Sequence, residues 1–389
     1  MSSAPVVLVE PAAPMHVSAV DPLLWHREAR WRIDLLNRAD EPIGTLGGML
    51  TAEDVEGGKH GVGGGSFEYS IHNVIRSTGS LTYIGEPVTA GGEPIDWHQV
   101  RIQPWYILST PTGEREEPMG VFIPAAPKTA HTAAARTQDI ELYDKLLTLD
   151  RAKVKATHTY PAGTVVTTAV AELIASVGET RVAVTESTET LSVPMVWGAG
   201  TTKLKIINEL LEAANYLSVW VDGYGVFRAD PYVRPSDRGT QWAFVDGAES
   251  IYLPDFTHDS DGFDVPNEVV LVATSDGETE ALVGYAVNED PESRWSVPNQ
   301  GPNTVTETGV EATSQAVLDN LAARRLVDLT QVASTFEIRH AWVPSELNDA
   351  VLFRRAQAGI TGARCVVQKR SFDMATGALV TATLREVTT

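Results

Sequence analysis

Cysteine is nearly missing from this chain: Cys365 is the only one in 389 residues. A single thiol excludes an internal disulfide framework and a cysteine-built zinc site, and it fits folding in a reducing cytosol. Cys365 stands in an apolar run with Val366 and Val367 and reads as a buried strand residue rather than a nucleophile. Long hydrophobic runs are missing too. No stretch approaches the roughly 18 apolar residues of a membrane-spanning helix, and residues 1–20 lack the basic start of a secretory signal. The expectation is a soluble chain with no membrane insertion from its own sequence. Basic residues are scarce, with 30 Lys and Arg against 51 Asp and Glu, a formal net charge of −21. A surface of that sign repels a phosphate backbone, so sequence-specific nucleic-acid binding is not expected.

Motifs that carry chemistry are also missing. The glycine-dense residues 57–65 fail as a phosphate cradle, because Lys59 is followed by His60 where a Walker loop needs Ser or Thr. They read as a flexible loop or glycine-adapted turn. Ser66 lacks a nucleophile elbow, since Glu68 stands where the second glycine belongs. His60, His72, His98, His131 and His158 show no metal-ligand spacing. Thr257, Asp259, Asp261, Gly262 and Glu268 fall on calcium-loop positions 1, 3, 5, 6 and 12. Thr257 replaces the first acidic ligand and Pro266 restricts the backbone, so the stretch reads as an acidic solvated loop. Trp97 and Trp105, or Trp220 and Tyr224, could stack on sugar rings, although aromatic residues on strands more often fill a core or an interface. No catalytic, cofactor-binding or metal-binding residue is assigned.

What is there begins with residues 201–231. Leu204, Ile207, Leu211 and Ala214 recur at helical spacing, and Ile206, Leu210 and Ala213 widen the apolar stripe. Asn215 follows the last apolar position and is expected to end the helix in the left-handed conformation. The period then drops to two at Leu217, Val219 and Val221, Asp222-Gly223 turns the chain, and residues 226–229 return as a hairpin.

The remainder is mostly strand pattern. Residues 1–20 read as an extended, proline-containing arm. Trp31, Ile33 and Leu35 alternate as a half-buried strand, as do Phe67, Tyr69 and Ile71. Residues 99–124 read as strand, turn and strand, with Pro104 requiring a bulge or an edge position. Leu142, Tyr143, Leu146, Leu147 and Leu149 predict a helix over 139–150, and Val166, Val170, Leu173 and Val177 predict another ending at Gly178. Residues 268–273 predict a strand followed by an Asp276-Gly277 turn, residues 314–329 a helix, and residues 364–370 with 378–384 a final hairpin.

Several of these pieces, in this order, resemble one family. LLEAANYLSVWVDGYGVFRADPYVRP, LNRADEPIGTLGG, VRIQPWYIL with PMGVFIP, DIELYDKLLTLDRAKV and NEVVLV are similar to segments of the tail hub proteins of long-tailed bacteriophages, called minor tail proteins in phages of actinobacteria. The chain departs from that family at PSELNDAV, where the turn glycine is absent but Asp349 is kept.

The resemblance implies an α+β fold, mainly β, in which two tube-like β-barrel domains flank a small helix-plus-hairpin domain. The expected division is an extended arm over 1–20, a first tube-like domain over 21–158, the small domain over 159–238, and a second tube-like domain with an inserted helix over 239–389. It also implies a non-enzymatic homotrimer in the virion tail tip or baseplate, synthesised in the host cytoplasm. Such a hub joins a sixfold tail tube to a threefold tip and forms part of the DNA channel. Its expected partners are the distal tail protein, the tape-measure protein, and tail fibre or tip proteins, without cofactors. Trimer contacts are expected at edge strands carrying Ile102 and Ile338. A cell-wall or polysaccharide hydrolase, or a monomeric carbohydrate-binding module, are the alternatives.

Overall fold

Alternation at Trp31, Ile33 and Leu35 does build a strand, β1 (Glu28–Leu36), with those three side chains buried. In the computed structural model the described residues are 28–111, 113–131, 136–191, 193–247, 250–259, 265–273, 281–293, 295–310, 315–330, 334–375 and 377–387. They fall into two units: Met1–Asp255 with Ile338–Leu384, and Phe256–Glu337 with Arg385–Thr389. Strands dominate and helices are few, so the fold is α+β and mainly β.

Next in the first unit come β2 (Pro42–Gly47), α1 (Ala52–Glu56), β3 (Gly61–Ser70), β4 (Ser77–Ile84), β5 (Arg101–Thr110), β6 (Gly113–Pro118), β7 (Phe122–His131) and β8 (Arg136–Asp144). Their order in the sheet is β3-β4-β8-β7-β5-β1-β2, with β6 also on β5. The inner face is aromatic: Trp31 lies 5.1 Å from Tyr106, and Phe67 5.3 Å from Phe122, between ring centroids.

Four expectations are corrected here. Gly61 to Gly65 are not a loop but the first half of β3. A side chain at Gly65 would stand 2.4 Å from the Ser80 carbonyl, and one at Gly63 2.6 Å from Ile84, so the glycines let the strands approach closely. Residues 139–144 are not helical but belong to β8, where Gln138, Ile140, Leu142 and Asp144 are buried alternately; only α2 (Leu146–Arg151) is a helix. Leu142, Leu146 and Leu149 mimic a helical stripe because a strand and a helix meet there. Pro104 is neither in a bulge nor on an edge: β5 runs between β1 and the β6–β7 pair. Trp105 onwards pairs with β6 and Ile102 pairs with β7, so the missing N–H falls where the partner changes. Ile102 is accordingly buried in the chain's own core, as is Ile338, and neither offers an edge to another chain.

A helical layer follows: β9 (His158–Tyr160), α3 (Val166–Ala175), β10 (Val182–Val184), β11 (Met195–Trp197), α4 (Lys203–Ala213), β12 (Trp220–Val221) and β13 (Phe227–Ala229). Leu204, Ile207 and Leu211 of α4 share a core with Val170, Leu173 and Phe227. Full burial of each such side chain is worth roughly 1.5–3 kcal/mol. The Thr202 hydroxyl caps α4 by accepting from the Lys205 N–H, and Asn215 ends it at φ +59.

The later strands are β14 (Thr240–Phe244), β15 (Tyr252–Asp259), β16 (Glu268–Ala273), β17 (Val283–Val287), β18 (Thr304–Val310), β19 (Thr335–Ala341), β20 (Ala350–Arg355), β21 (Ile360–Asp373) and β22 (Leu379–Glu386), with α5 (Val297–Gln300) and α6 (Gln315–Thr330) among them. In the first unit β21 pairs with both β3 and β20, and β20 with β14. In the second unit β16 pairs antiparallel with β17 and parallel with β18. Leu318, Ala322 and Leu326 of α6 pack there on Val269 and Leu271. Asp276-Gly277 lies outside the described residues.

Candidate functional site

The most unusual chemistry in the first unit is a ring of four buried charges. Asp40 occupies the turn between β1 and β2, held by Asn37, whose backbone carbonyl accepts from the Asp40 N–H at 3.0 Å. Arg101 opens β5, Lys145 links β8 to α2, and Glu179 follows α3. The Arg101 guanidinium donates to Asp40 and to Glu179, each at 2.5 Å. The Lys145 ammonium reaches Asp40 at 2.5 Å and Glu179 at 2.7 Å. Its third donor goes to the Gly225 carbonyl at 2.8 Å, and the Phe227 ring centroid lies 5.1 Å away.

Cation and anion alternate around the ring, so its formal charge is zero. Lys145 is 0% exposed. Removing such groups from water costs several kcal/mol per ion unless partners replace the lost hydration. Burial alone would lower the Arg101 pKa, but the Glu179 and Asp40 carboxylates outweigh it and leave the value raised. Each charge is engaged by two opposite charges. The ring therefore fixes the helical layer and its hairpin to the strands beneath.

Beside the hairpin is a cavity of about 430 Å³. Met119, Val121, Leu217 and Val221 give it an apolar wall, and Arg76, Asp144, Asp349 and Arg370 contribute polar groups. The Asp144 carboxylate accepts from the N–H groups of Ser77 and Leu146, both at 2.8 Å, yet burial pushes its pKa up to about 6. Burial likewise pushes Asp349 up to about 6, although its carboxylate accepts from the Glu346 N–H at 2.7 Å. Arg370 lies 4.4 Å from the Tyr69 ring centroid and donates to the Ser345 carbonyl and to Glu346.

Of the residues weighed from sequence, Trp105 and Tyr224 meet, and the histidines, Ser66 and Cys365 are not brought together. His60, His72, His98 and His131 are exposed at separate places and His158 is half-buried beside Tyr160. The Ser66 hydroxyl lies 3.0 Å from the Ser80 hydroxyl, and Cys365 is buried in β21. Among the described residues no group of three or more His, Cys, Asp or Glu could hold a metal ion. Thr257 and Asp259 lie in β15 and Glu268 in β16, while Asp261 and Gly262 fall outside the described residues. Trp97 is buried and donates to Gln138 at 3.1 Å, so it presents no face to a sugar. Trp105 lies under the Arg32 guanidinium and meets Tyr224 edge-on at 6.1 Å.

Sequence reasoning missed the charge ring. Its one local signal is Lys145, a cation set between the apolar stretches of β8 and α2.

No family model matches the chain, and no curated protein sequence matches it. Solved structures do. The tail protein from Neisseria meningitidis MC58 aligns with a TM-score of 0.65 at 12% identity, covering 92% of this chain and 96% of its own. The 43 kDa tail protein of prophage MuSo2 from Shewanella oneidensis gives 0.61 at 12% identity, covering 91% and 98%. The prophage tail protein gp18 from Listeria monocytogenes EGD-e gives 0.52 at 12% identity, covering 91% and 94%. The fold of this chain is the fold of these tail proteins, and the resemblance read from its sequence holds at that level.

Proposed function

We propose that the chain is a structural component of a bacteriophage tail tip: a baseplate hub that joins the sixfold tail tube to the threefold tip and lines part of the DNA channel. One observation carries this reading. The match to the Neisseria tail protein runs over almost the whole of both chains, which is expected of a shared building block and not of one borrowed domain. The buried charge ring supports it, because four charges that satisfy one another serve a rigid body rather than turnover.

The reading takes the chain to be a homotrimer with an arm over 1–20, tube-like barrel domains over 21–158 and 239–389, and the helix-plus-hairpin domain over 159–238. Its neighbours are the distal tail protein, the tape-measure protein, and fibre or tip proteins. With −21 formal charges per chain, channel walls drawn from it repel DNA instead of gripping it.

Gold-labelled antibodies raised against the purified protein test the location: label confined to the tip of virion tails is expected, and label on heads or along the tube overturns the reading. Light scattering on the purified protein tests the assembly. Three chains per particle are expected. A monomer that binds polysaccharide or degrades cell wall returns the function to the alternatives.

A further inference from the structure

Arg76 precedes β4 and lines the cavity beside the hairpin. Among the described residues its guanidinium has no hydrogen-bond acceptor and no ion pair; the one charge that acts on it is that of Asp144, while burial lowers its pKa. Asp144 is itself engaged by the N–H groups of Ser77 and Leu146. A second lining arginine, Arg370, is 5% exposed, and its Nε is buried without a partner. Partly dehydrated guanidinium donors without acceptors are costly to hold in a folded chain. Around them the cavity is walled by Met119, Val121, Leu217 and Val221, and its 430 Å³ falls within the range of small-ligand sites.

We propose that this cavity binds a single carboxylate carried on a short apolar chain, with the Arg76 guanidinium taking the carboxylate and the apolar body lying against Leu217 and Val221. The planar fork of an arginine matches the two oxygens of a carboxylate. One negative charge suits the site better than the two of a phosphate, because Asp144, Asp349 and Glu346 also line it. The carboxylate belongs either to a free small acid or to the C-terminus of a peptide, and the chemistry at Arg76 is the same. This site is independent of the hub reading, since a tail protein of any kind could carry it.

Calorimetric titration of the full chain tests the proposal with four probes: hexanoate, hexanol, acetyl-leucyl-leucine with its free carboxylate, and the same dipeptide as the amide. At least one carboxylate should bind saturably with a dissociation constant of about 1 mM or tighter, and its uncharged counterpart about tenfold more weakly. Hexanoate alone marks a free acid as the source, and binding of the dipeptide acid marks a chain end. Arg76→Gln should weaken the carboxylate about tenfold while leaving the uncharged probes unchanged. Leu217→Trp, which fills the cavity and keeps Arg76, should abolish binding and serves if Arg76→Gln does not fold. The proposal is overturned if neither carboxylate binds, if the carboxylate that binds is matched by its uncharged counterpart, or if a folded Arg76→Gln or Leu217→Trp chain retains full affinity.

Discussion

The Lys145 ammonium lies 2.7 Å from the Glu179 carboxylate, and this contact ties the end of the β-sheet's eighth strand to the residue region that follows α3. Asp40 and Arg101 complete the arrangement, so deleting one member leaves the opposite charges buried and unbalanced. Lys145→Met should destabilise the chain by about 3–5 kcal/mol in urea titration. Adding Glu179→Gln to Lys145→Met removes one orphaned anion and should cost less than the sum of the two single changes. Strict additivity would mean that the four side chains act separately.

That ring was not legible in the sequence, for a physical reason. Asp40 and Lys145 are 105 residues apart, and Arg101 and Glu179 are 78 apart, so no local period can pair them. Local devices were legible. Asn215 takes φ +59 at the end of α4 as its unbranched side chain allows, and Leu204, Ile207 and Leu211 face the core as their spacing requires. Where local patterns misled, two structures shared one pattern: Leu142 closes a strand and Leu146 opens a helix, yet together they read as one stripe. The glycines before Phe67 read as a loop because the pressure that selects them, the Ser80 carbonyl and Ile84 on the adjacent strand, lies outside their own stretch.

The buried Asp144 makes stability depend on pH. Its folded pKa of about 6 lies above the unfolded value near 3.9, so between these values the folded chain keeps a proton that the unfolded chain has released. Its contribution is therefore fully present below pH 4 and is lost as pH rises through 6. Asp144→Asn holds the uncharged form at every pH. Relative to the parent, the variant should gain on the order of 2 kcal/mol between pH 4.5 and pH 7.5, read from denaturation midpoints at each pH. Arg76 faces Asp144, with Tyr69, Arg370 and Glu346 nearby, and none of these changes in the variant. A constant difference across that range would show that Asp144 is charged at both ends of it.

Asn348 occupies the turn that precedes Asp349 and β20, and it adopts φ +69. Its N–H donates to the Val367 carbonyl at 2.9 Å and its carbonyl accepts from Arg238 at 2.7 Å, so the turn cannot relax without breaking both. Asn348→Gly should leave stability within a few tenths of a kcal/mol, whereas Asn348→Ala should lose about 1 kcal/mol. Equal effects in thermal melts would mean that the backbone there is not held left-handed.

Gly284 in β17 tests the second unit by itself. A Cβ there would stand 2.7 Å from the Leu318 carbonyl oxygen, and that oxygen belongs to the backbone of α6, which cannot swing aside as a side chain can. Gly284→Ala must therefore push the helix from the sheet, away from the contacts that Leu318, Ala322 and Leu326 make with Val269 and Leu271. Overpacking of this kind costs about 1–3 kcal/mol. Because these side chains form their own core, the loss should be local: amide exchange should quicken in β16, β17 and α6 while β1, β3 and β8 keep their protection. Equal loss in both sets of strands would show that the two units open together, and unchanged exchange in α6 would place the helix farther from Gly284 than the geometry has it.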